Sequence, residues 1–186
     1  MLEPTELLYA YAQGYFPMAI PEENDEIFWF KPDMRGIIPL EKFHVSKNLR
    51  RLFNKHYFDL KINGDFEGTI RSCANREDTW ISEDIIKSYC KLNELGYGYS
   101  FETWRNGKLV GGLYGVAIGK VFFGESMFHT ETDASKIALI FLVEFMKENK
   151  FKLLDTQYIN DHLKQFGAIE IPNEEYEFLL ENALES

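Results

Sequence analysis

The apolar positions of this chain follow helical spacing in some segments and strand alternation in others. Ser82, followed at once by two acidic residues, is typical of a helix N-cap, and the helix should end at Gly96. Ser46 likewise predicts a short helix, which is followed by a strand within residues 57–62. This part of the chain therefore combines helices and strands.

The first 33 residues have a different character. Pro4 opens a helix that is predicted to end near Gly14, and residues 16–32 contain three prolines and an acidic cluster, which is typical of irregular loops. We therefore expect a small N-terminal lobe in residues 1–33 and a larger domain in residues 34–186.

Strand alternation dominates residues 97–128. Asn106-Gly107 is a strong hairpin signal, and Gly119-Lys120 marks a second tight turn. Three consecutive antiparallel strands, a meander, are therefore predicted.

A helix and a strand follow the meander. Thr132 or Asp133 is predicted to cap the helix, which runs to about Asn149, and the strand lies within residues 151–157. A strand reached through a crossover helix usually lies parallel to the strand before it, so this strand should lie beside the meander. The last predicted elements are a short helix at 161–166 that stops at Gly167 and a helix from a cap at Asn173 to about Leu184.

The order of meander, crossover helix and parallel strand predicts an α/β (α+β) fold. It is the order of a GNAT-like acyltransferase core, best known from N-acetyltransferases. In that fold, a glycine-rich turn at the start of the crossover helix binds the phosphates of coenzyme A. The corresponding residues here, 129–134, contain no glycine and two carboxylates, which would repel a phosphate. An acyl-CoA donor is therefore disfavoured.

Composition argues against several other classes of protein. A net charge of −10 disfavours generic binding of nucleic acids or anionic membranes, and 45% hydrophobic residues disfavour disorder. The histidines are scattered singly and the two cysteines form no CxxC pair, so we expect no metal site and a reducing, cytoplasmic location. We expect neither a signal peptide nor a membrane-spanning run.

Several sequence strings indicate a particular protein family. They are QGYFP (13–17), WFKPDMR (29–35), FHVSKNLRR (43–51), TWIS (79–82), LVGGLYGVAIGKVFFGESMF (109–128), DASKIAL (133–139), LLDTQ (153–157) and FGAIEIP (166–172). In this order they resemble the leucyl/phenylalanyl-tRNA–protein transferases over nearly the whole chain. The resemblance implies transfer of Leu or Phe, sometimes Met, from aminoacyl-tRNA to the N-terminal Arg or Lys of a protein, which marks that protein for degradation.

The chain departs from the usual family pattern at a few positions. Met18 stands where the family usually has Trp, Phe30 and Met34 lie in a string that usually reads WWSPDPR, and Thr156 stands in place of Cys. The N-terminal extension is also shorter than is common in the family. We expect these differences to affect the stacking of the terminal adenine of the tRNA, whereas the candidate catalytic residues of the sheet motifs are unchanged.

Three residues are candidates for catalysis: Asp155, Gln157 and Glu125. Asp155 and Gln157 are two apart on a predicted strand and should share a face, and Glu125 should share a face with Phe123 and Met127. The family motifs favour an active-site role over that of exposed or paired strand-end charges. We expect Gln157 to orient the attacking amine, with Asp155 polarising its amide.

The two substrates require sites of opposite character. The resemblance implies an apolar pocket for the donor side chain, formed by Leu113, Met127, Leu142 and Leu154. Core packing is the alternative for Leu142 and Leu154. Trp80 and Phe16 are candidates to contact the terminal adenosine or to lie in the core, and Ser126 is a further substrate-binding candidate. Glu125 and Asp155 would bind the cationic head group of the acceptor.

Although the chain is acidic overall, one region has an excess of positive charge that could bind tRNA. Residues 31–76 contain ten Lys or Arg and five acids, so they carry +5 and the rest of the chain −15. The residues expected to contact acceptor-stem phosphates are Lys47, Arg50, Arg51, Arg71 and Arg76. A solvated basic surface is the alternative interpretation.

The favoured hypothesis is an enzyme, a monomeric cytoplasmic aminoacyltransferase. It needs no cofactor, because aminolysis of an activated ester is downhill. Its expected partners are aminoacyl-tRNA and proteins with an N-terminal Arg or Lys, and no membrane is involved. Two alternatives stay open: an acyl-CoA-dependent N-acetyltransferase, which would bind coenzyme A, and a non-catalytic binder of basic N-termini, which would show no transfer.

Overall fold

The computed structural model describes residues 1–186, with helices on both faces of a large sheet. The seven helices are α1 (Pro4–Ala12), α2 (Lys47–Asn54), α3 (Phe66–Ala74), α4 (Glu83–Glu94), α5 (Ala134–Glu148), α6 (Asp161–Lys164) and α7 (Asn173–Leu184). The nine strands are β1 (Phe16–Ile20), β2 (Glu26–Phe30), β3 (Met34–Ile37), β4 (Asp59–Ile62), β5 (Gly98–Arg105), β6 (Lys108–Ile118), β7 (Val121–His129), β8 (Leu153–Gln157) and β9 (Ile169–Pro172).

Seven strands form one mixed sheet in the order β4-β5-β6-β7-β8-β3-β9, and β1 pairs with β2 in a separate hairpin. Neighbouring strands of the large sheet are antiparallel except β7 and β8, which run parallel and are connected through α5. The predicted meander (β5 to β7), crossover helix and adjacent parallel strand are therefore confirmed. The fold is a mixed α/β arrangement around a central mixed sheet.

Two hydrophobic clusters cover the opposite faces of the sheet. On one face, α5 and α2 bury residues such as Ile140 and Leu49. On the other face, α3, α4 and α7 bury residues such as Ile70, Ile85 and Leu180. No helix in the structure combines the length and the apolar character needed to cross a bilayer.

The two predicted serine caps are confirmed. The Ser82 hydroxyl accepts a hydrogen bond from the backbone N–H of Ile85, and the Ser46 hydroxyl accepts one from Leu49, each at 3.3 Å. Gly96 follows α4 with a φ of +88°, a conformation that costs a glycine little. Local sequence signals therefore set the bounds of these helices.

Residues 16–32, predicted to be irregular, instead contain the β1–β2 hairpin. Pro21 begins a short 3₁₀ turn after β1, and Asn24 and Asp25 then adopt the left-handed backbone conformation that reverses the chain. The prediction was wrong because most of the polar residues occupy only the turn between two apolar strands. The sequence pattern also does not predict α3, β3 or β9.

Two predicted caps are wrong in their chemistry although the helices begin at the expected places. Asp133 precedes α5 with a φ of +66° and makes no capping hydrogen bond, and its carboxylate lies 3.5 Å from the ammonium of Lys136. Asn173 is the first residue of α7, and its amide donates to Glu177 at 3.1 Å. In each case the side chain has a partner on its own helix and makes no capping hydrogen bond to the backbone.

Candidate active site

A β-bulge in β7 sets the direction of the Glu125 side chain. Tyr114 of β6 pairs with Ser126, and Gly115 pairs with Gly124, so Glu125 is an extra residue without a partner on β6. The extra residue shifts the alternation of side chains by one position. Phe123 therefore packs in the cluster beneath α4, whereas Met127 packs against the cluster beneath α5.

The predicted common face of Glu125, Phe123 and Met127 is therefore wrong. Glu125 contacts Tyr11, and the ring of Phe123 lies 4.8 Å from the ring of Tyr11, so these two residues share a face. Met127 lies on the opposite face, because the bulge intervenes between the two positions. In a regular strand, Glu125 and Met127 would lie on the same face of the sheet. The bulge places them on opposite faces, and both still line the same cavity.

The opening itself lies where β7 and β8 separate. Their parallel pairing ends at Phe123 and Asp155, while β3 pairs with the other edge of β8 as far as Gln157. A cavity of about 440 Å³ occupies the gap. Its lining includes nine residues predicted from the sequence: Trp80, Leu113, Glu125, Ser126, Met127, Leu142, Leu154, Gln157 and Arg76.

One wall of the cavity is apolar. Leu113, Met127 and Leu142 lie on it, together with Leu154 and with Leu139, which the sequence analysis does not single out. Leu113, Leu139, Leu142 and Leu154 are also buried members of the cluster beneath α5. These side chains therefore serve both as core and as cavity wall, so the two interpretations of Leu142 and Leu154 are compatible.

The opposite wall carries the Glu125 carboxyl group. Its Oε1 accepts a hydrogen bond from Tyr11, which is hydrogen-bonded to Tyr89, and another from Nε2 of Gln157 at 2.9 Å. Its Oε2 is buried and has no hydrogen-bond partner. Burial raises the pKa of Glu125 to about 8, although the hydrogen bonds from Tyr11 and Gln157 act in the opposite direction. The side chain can therefore accept a proton near neutral pH.

Asp155 is fully buried behind the cavity and does not line it. Arg35 binds its carboxylate through Nε at 3.0 Å and Nη2 at 2.7 Å, and Tyr176 donates to Oδ2 at 2.7 Å. The backbone N–H of Gln157 donates to Oδ1 at 2.8 Å. Each carboxylate oxygen thus has two donors. We call Arg35, Asp155 and Tyr176 the buried ion-pair cluster.

Two sequence-based expectations for Asp155 differ from these contacts. Its carboxylate binds the backbone of Gln157 and not the side-chain amide, which donates to Glu125 instead. Nor is the carboxylate free to bind an acceptor head group, because it is occupied and without solvent exposure. Gln157 has a φ of +65°, and its bond to Asp155 holds this uncommon backbone conformation. Asp155 therefore acts through the position of Gln157.

Phe16 does not line the cavity either. Its ring is fully buried, stacks on Phe30 with 6.3 Å between centroids, and lies 4.9 Å from the guanidinium carbon of Arg35. Phe16 therefore lies in the core, the second of its two predicted alternatives, because Phe30 and Arg35 lie against its ring and it does not line the cavity. Trp80 does line the cavity, and Met18 from β1 lies there too.

The five basic residues proposed for tRNA do not form one surface. Lys47, Arg50 and Arg51 line a groove of about 740 Å³ along α2. Arg71 is paired with Glu67 and Glu83, which offset its charge. Arg76 lies at the cavity, where it donates to the Met127 carbonyl at 2.9 Å. Only the α2 groove concentrates positive charge.

Several buried residues with polar groups at the site have no distinctive signal in the sequence. They are Arg35, Tyr11, Tyr89, Tyr114 and Tyr176. An arginine at a strand position is a weak signal, because arginine is usually exposed. No group of three or more His, Cys, Asp or Glu side chains is arranged to hold a metal ion.

Comparisons of the sequence with known proteins match one family. A family model described as leucyl/phenylalanyl-tRNA protein transferase matches residues 37–181, and a model of the N-terminal domain of that family matches residues 1–33. A protein of Paramagnetospirillum magneticum (strain ATCC 700264 / AMB-1) with the name leucyl/phenylalanyl-tRNA–protein transferase is 50% identical over 182 residues, which covers 96% of this chain and 87% of that protein. A protein of the same name from Gloeobacter violaceus (strain ATCC 29082 / PCC 7421) is 50% identical over 183 residues, with coverage of 98% and 94%.

Solved structures are more distant. L-PGS from Bacillus licheniformis has a TM-score of 0.47 and 11% identity, covering 98% of this chain and 70% of that one. A functionally unknown conserved protein from Staphylococcus epidermidis ATCC 12228 has a TM-score of 0.47 and 9% identity, covering 92% and 65%.

Proposed function

Because the chain belongs to the leucyl/phenylalanyl-tRNA–protein transferase family, we propose that its cavity transfers Leu or Phe, and sometimes Met, from aminoacyl-tRNA to the N-terminal Arg or Lys of a protein. The amine nitrogen forms a bond to the ester carbonyl carbon, the bond to the tRNA 3′-oxygen breaks, and that oxygen gains a proton in place of the one the amine loses. The observation that carries the proposal is one cavity with an apolar wall and a carboxylate on the other side.

The apolar wall supports the donor half of this proposal. Leu113, Met127, Leu142 and Leu154 form the pocket for the aminoacyl side chain in our proposal, and the unbranched Met127 can adapt its shape. An apolar pocket separates side chains that differ by one methylene by only about 1 to 3 kcal/mol. Overlapping use of Leu, Phe and Met follows from this small difference. Trp80 and Ser126, on the same cavity, are the proposed contacts for the terminal adenosine and the ester.

The carboxylate wall supports the acceptor half. We assign the attacking amine to the free oxygen of Glu125, and Gln157 keeps Glu125 in place through its hydrogen bond to Oε1. Asp155 is a positioning residue in this scheme. Holding amine and ester together can contribute about 7 to 11 kcal/mol through effective molarity, and a positioned base adds a smaller share, roughly 10²- to 10⁴-fold in rate. Positioning is therefore the larger factor.

The architecture agrees with this chemistry. We propose that the meander, α5 and β8 form a GNAT-like acyltransferase core in which the gap between β7 and β8 receives the acyl group. Residues 1–33 form the small N-terminal lobe of the proposal, with the β1–β2 hairpin bringing Met18 to the cavity. In our proposal a monomer is the active unit. An aminoacyl-tRNA substrate implies that the enzyme acts in the cytoplasm.

The direct test is transfer itself. We expect the protein, incubated with labelled Leu-tRNA and an Arg-initiated peptide, to place label on the peptide, because the proposal brings both reacting groups to one cavity. The same peptide with an acetylated N-terminus is the matched control and should remain unlabelled. Binding of the Arg-peptide without transfer would favour the non-catalytic binder, and labelling from acetyl-coenzyme A alone would favour an N-acetyltransferase.

A second prediction concerns the α2 groove as the tRNA contact. Lys47 and Arg51 are exposed there, whereas Arg50 is paired with Glu144 at 3.1 Å. Replacing Lys47 and Arg51 together with Gln should lower the slope of log affinity for tRNA against log salt concentration by about two, because each lost phosphate contact removes about one. Filter binding at several salt concentrations measures this slope.

The control for that measurement is a double variant with the same change in charge. Lys91 and Lys164 are basic residues on α4 and α6, outside the groove, and their replacement with Gln should leave the slope almost unchanged. Equal slopes for the wild type and the Lys47/Arg51 double variant would remove this groove from the proposal.

A further inference from the structure

Three polar atoms of residues that line the cavity are buried without any hydrogen-bond partner: Oε2 of Glu125, the hydroxyl oxygen of Tyr114 and Nε2 of His162. Glu125 and Tyr114 lie next to each other, because Tyr114 of β6 pairs with Ser126 immediately beside the Glu125 bulge, whereas His162 lies on α6. Buried polar atoms are nearly always hydrogen-bonded, so the two such atoms of Glu125 and Tyr114 beside one cavity indicate a ligand that satisfies them.

The position of the Tyr114 ring is fixed by packing. The residue has no solvent exposure, and its ring contacts Phe66 and Tyr89 edge to face, with centroids 6.0 Å and 5.7 Å apart. Its hydroxyl therefore has little freedom to find another partner. Burial raises the pKa of Tyr114 well above its usual range, and the charge of Glu125 raises it further. The phenol consequently keeps its proton and is a neutral donor.

These two atoms match the two groups that must react. An ionised Glu125 Oε2 is a free acceptor, which suits the N–H of the attacking amine. The Tyr114 hydroxyl is a free donor, which suits the carbonyl oxygen of the ester. When the amine adds to the carbonyl carbon, the carbonyl π electrons move to that oxygen and make it negative, and they return as the bond to the 3′-oxygen breaks.

We propose that Tyr114 is a catalytic residue whose hydroxyl donates a hydrogen bond to the ester carbonyl oxygen and stabilises the oxyanion of the tetrahedral intermediate. This inference rests on the proposed function and adds a residue to it. A fixed donor aimed at developing charge is worth roughly 10² to 10³ in rate, because it needs no reorganisation during the reaction. Tyr114 acts in the same cavity as Glu125 but on the other reactant.

The test is Tyr114→Phe, which removes only the hydroxyl and keeps the ring. We expect single-turnover transfer from Leu-tRNA to an Arg-initiated peptide to slow by roughly 10²-fold, with the KM values for both substrates within about threefold of the wild type. The midpoint of thermal unfolding should stay the same or rise, because the lost hydroxyl has no partner in the fold. Tyr99→Phe on β5, outside the cavity, is the matched control and should transfer at the wild-type rate.

Four results would overturn the inference. A Tyr114→Phe rate within about twofold of the wild type would exclude a role for the hydroxyl, while the proposed function would stand. A raised KM for the peptide with an unchanged kcat would assign the hydroxyl to acceptor binding. A lowered midpoint of thermal unfolding that accompanies the loss of activity would assign it to the fold. Absence of transfer by the wild type would overturn the proposed function and this inference with it.

Discussion

Replacing Arg35 with Met is expected to destabilise the protein by about 3 to 5 kcal/mol, because it leaves Asp155 as a buried carboxylate without its charge partner. The two side chains have no solvent exposure and are joined at 2.7 Å and 3.0 Å. Arg35 also donates to the carbonyl of Gly14 at 2.7 Å, a bond that the Met variant loses. Urea denaturation of both proteins measures the difference in the free energy of unfolding.

Arg50→Met is the control that separates the effect of burial from the effect of losing an ion pair. Arg50 is also paired with a carboxylate, Glu144 at 3.1 Å, but each side chain is more than a third exposed. An ion pair of this kind contributes about 0 to 1 kcal/mol, because water screens it. A loss at Arg35 no larger than the loss at Arg50 would contradict the importance we give to the buried ion-pair cluster.

Replacing Glu125 with Gln is expected to change both the pH dependence of stability and that of transfer. A carboxyl group whose pKa is raised from 4.5 to about 8 keeps its proton in the folded state over a range in which the unfolded chain has lost it. The wild type is therefore most stable with respect to this group below pH 4.5 and loses up to about 1.4 kcal/mol per pH unit as the pH rises to 8. Glu125→Gln should lose this slope.

The same titration predicts the activity profile. Transfer requires the ionised carboxylate in our scheme, so kcat/KM should rise with pH until it levels off near pH 8. The acceptor amine also titrates near pH 8, and its deprotonation makes kcat/KM rise with pH over the same range. We expect log kcat/KM to rise with a slope approaching two below about pH 7 in the wild type and about one in Glu125→Gln, with a rate roughly 10²-fold lower at the plateau.

Glu174→Gln is the control for both measurements. Glu174 is exposed on α7 and does not line the cavity, so both profiles should match those of the wild type. Glu125→Gln with the same pH dependence of stability and transfer as the wild type would show that Glu125 is not the titrating group.

The order of the core elements could be predicted from the sequence because its signals are local. Asn106-Gly107 marks one hairpin, Ser82 caps a helix, and the alternation within 97–128 needs only neighbouring residues. The motif that contains Glu125 and the strand that contains Gln157 were also identifiable. The sequence therefore indicated both side chains of the proposed reaction, Glu125 and Gln157, although not their contacts.

The bulge and the buried ion-pair cluster could not be predicted, because they depend on distant strands. Glycine at position 115 is part of the bulge, since a Cβ there would lie 2.2 Å from the Phe123 carbonyl oxygen, but a glycine alone does not indicate a register shift. Arg35 meets Asp155 across 120 residues of sequence. Periodicity carries no information about which strand will lie next to β8.

The assignment of Asp155 shows the difference between a motif and a role. Its spacing from Gln157 correctly brings the two residues together, yet the contact is to the backbone of Gln157. What a two-residue spacing cannot reveal is whether a carboxylate faces substrate or faces the protein interior. Here the arginine of β3 and the tyrosine of α7 decide it.

The buried ion-pair cluster also has a consequence for synthesis of the chain. It joins β3, β8 and α7, so the Asp155 carboxylate that bonds Gln157 has all its donors only when Tyr176 is in place. During translation the earlier strands emerge first, while their partners are still inside the ribosome. A nascent chain therefore completes the buried ion-pair cluster only after α7 has emerged from the ribosome.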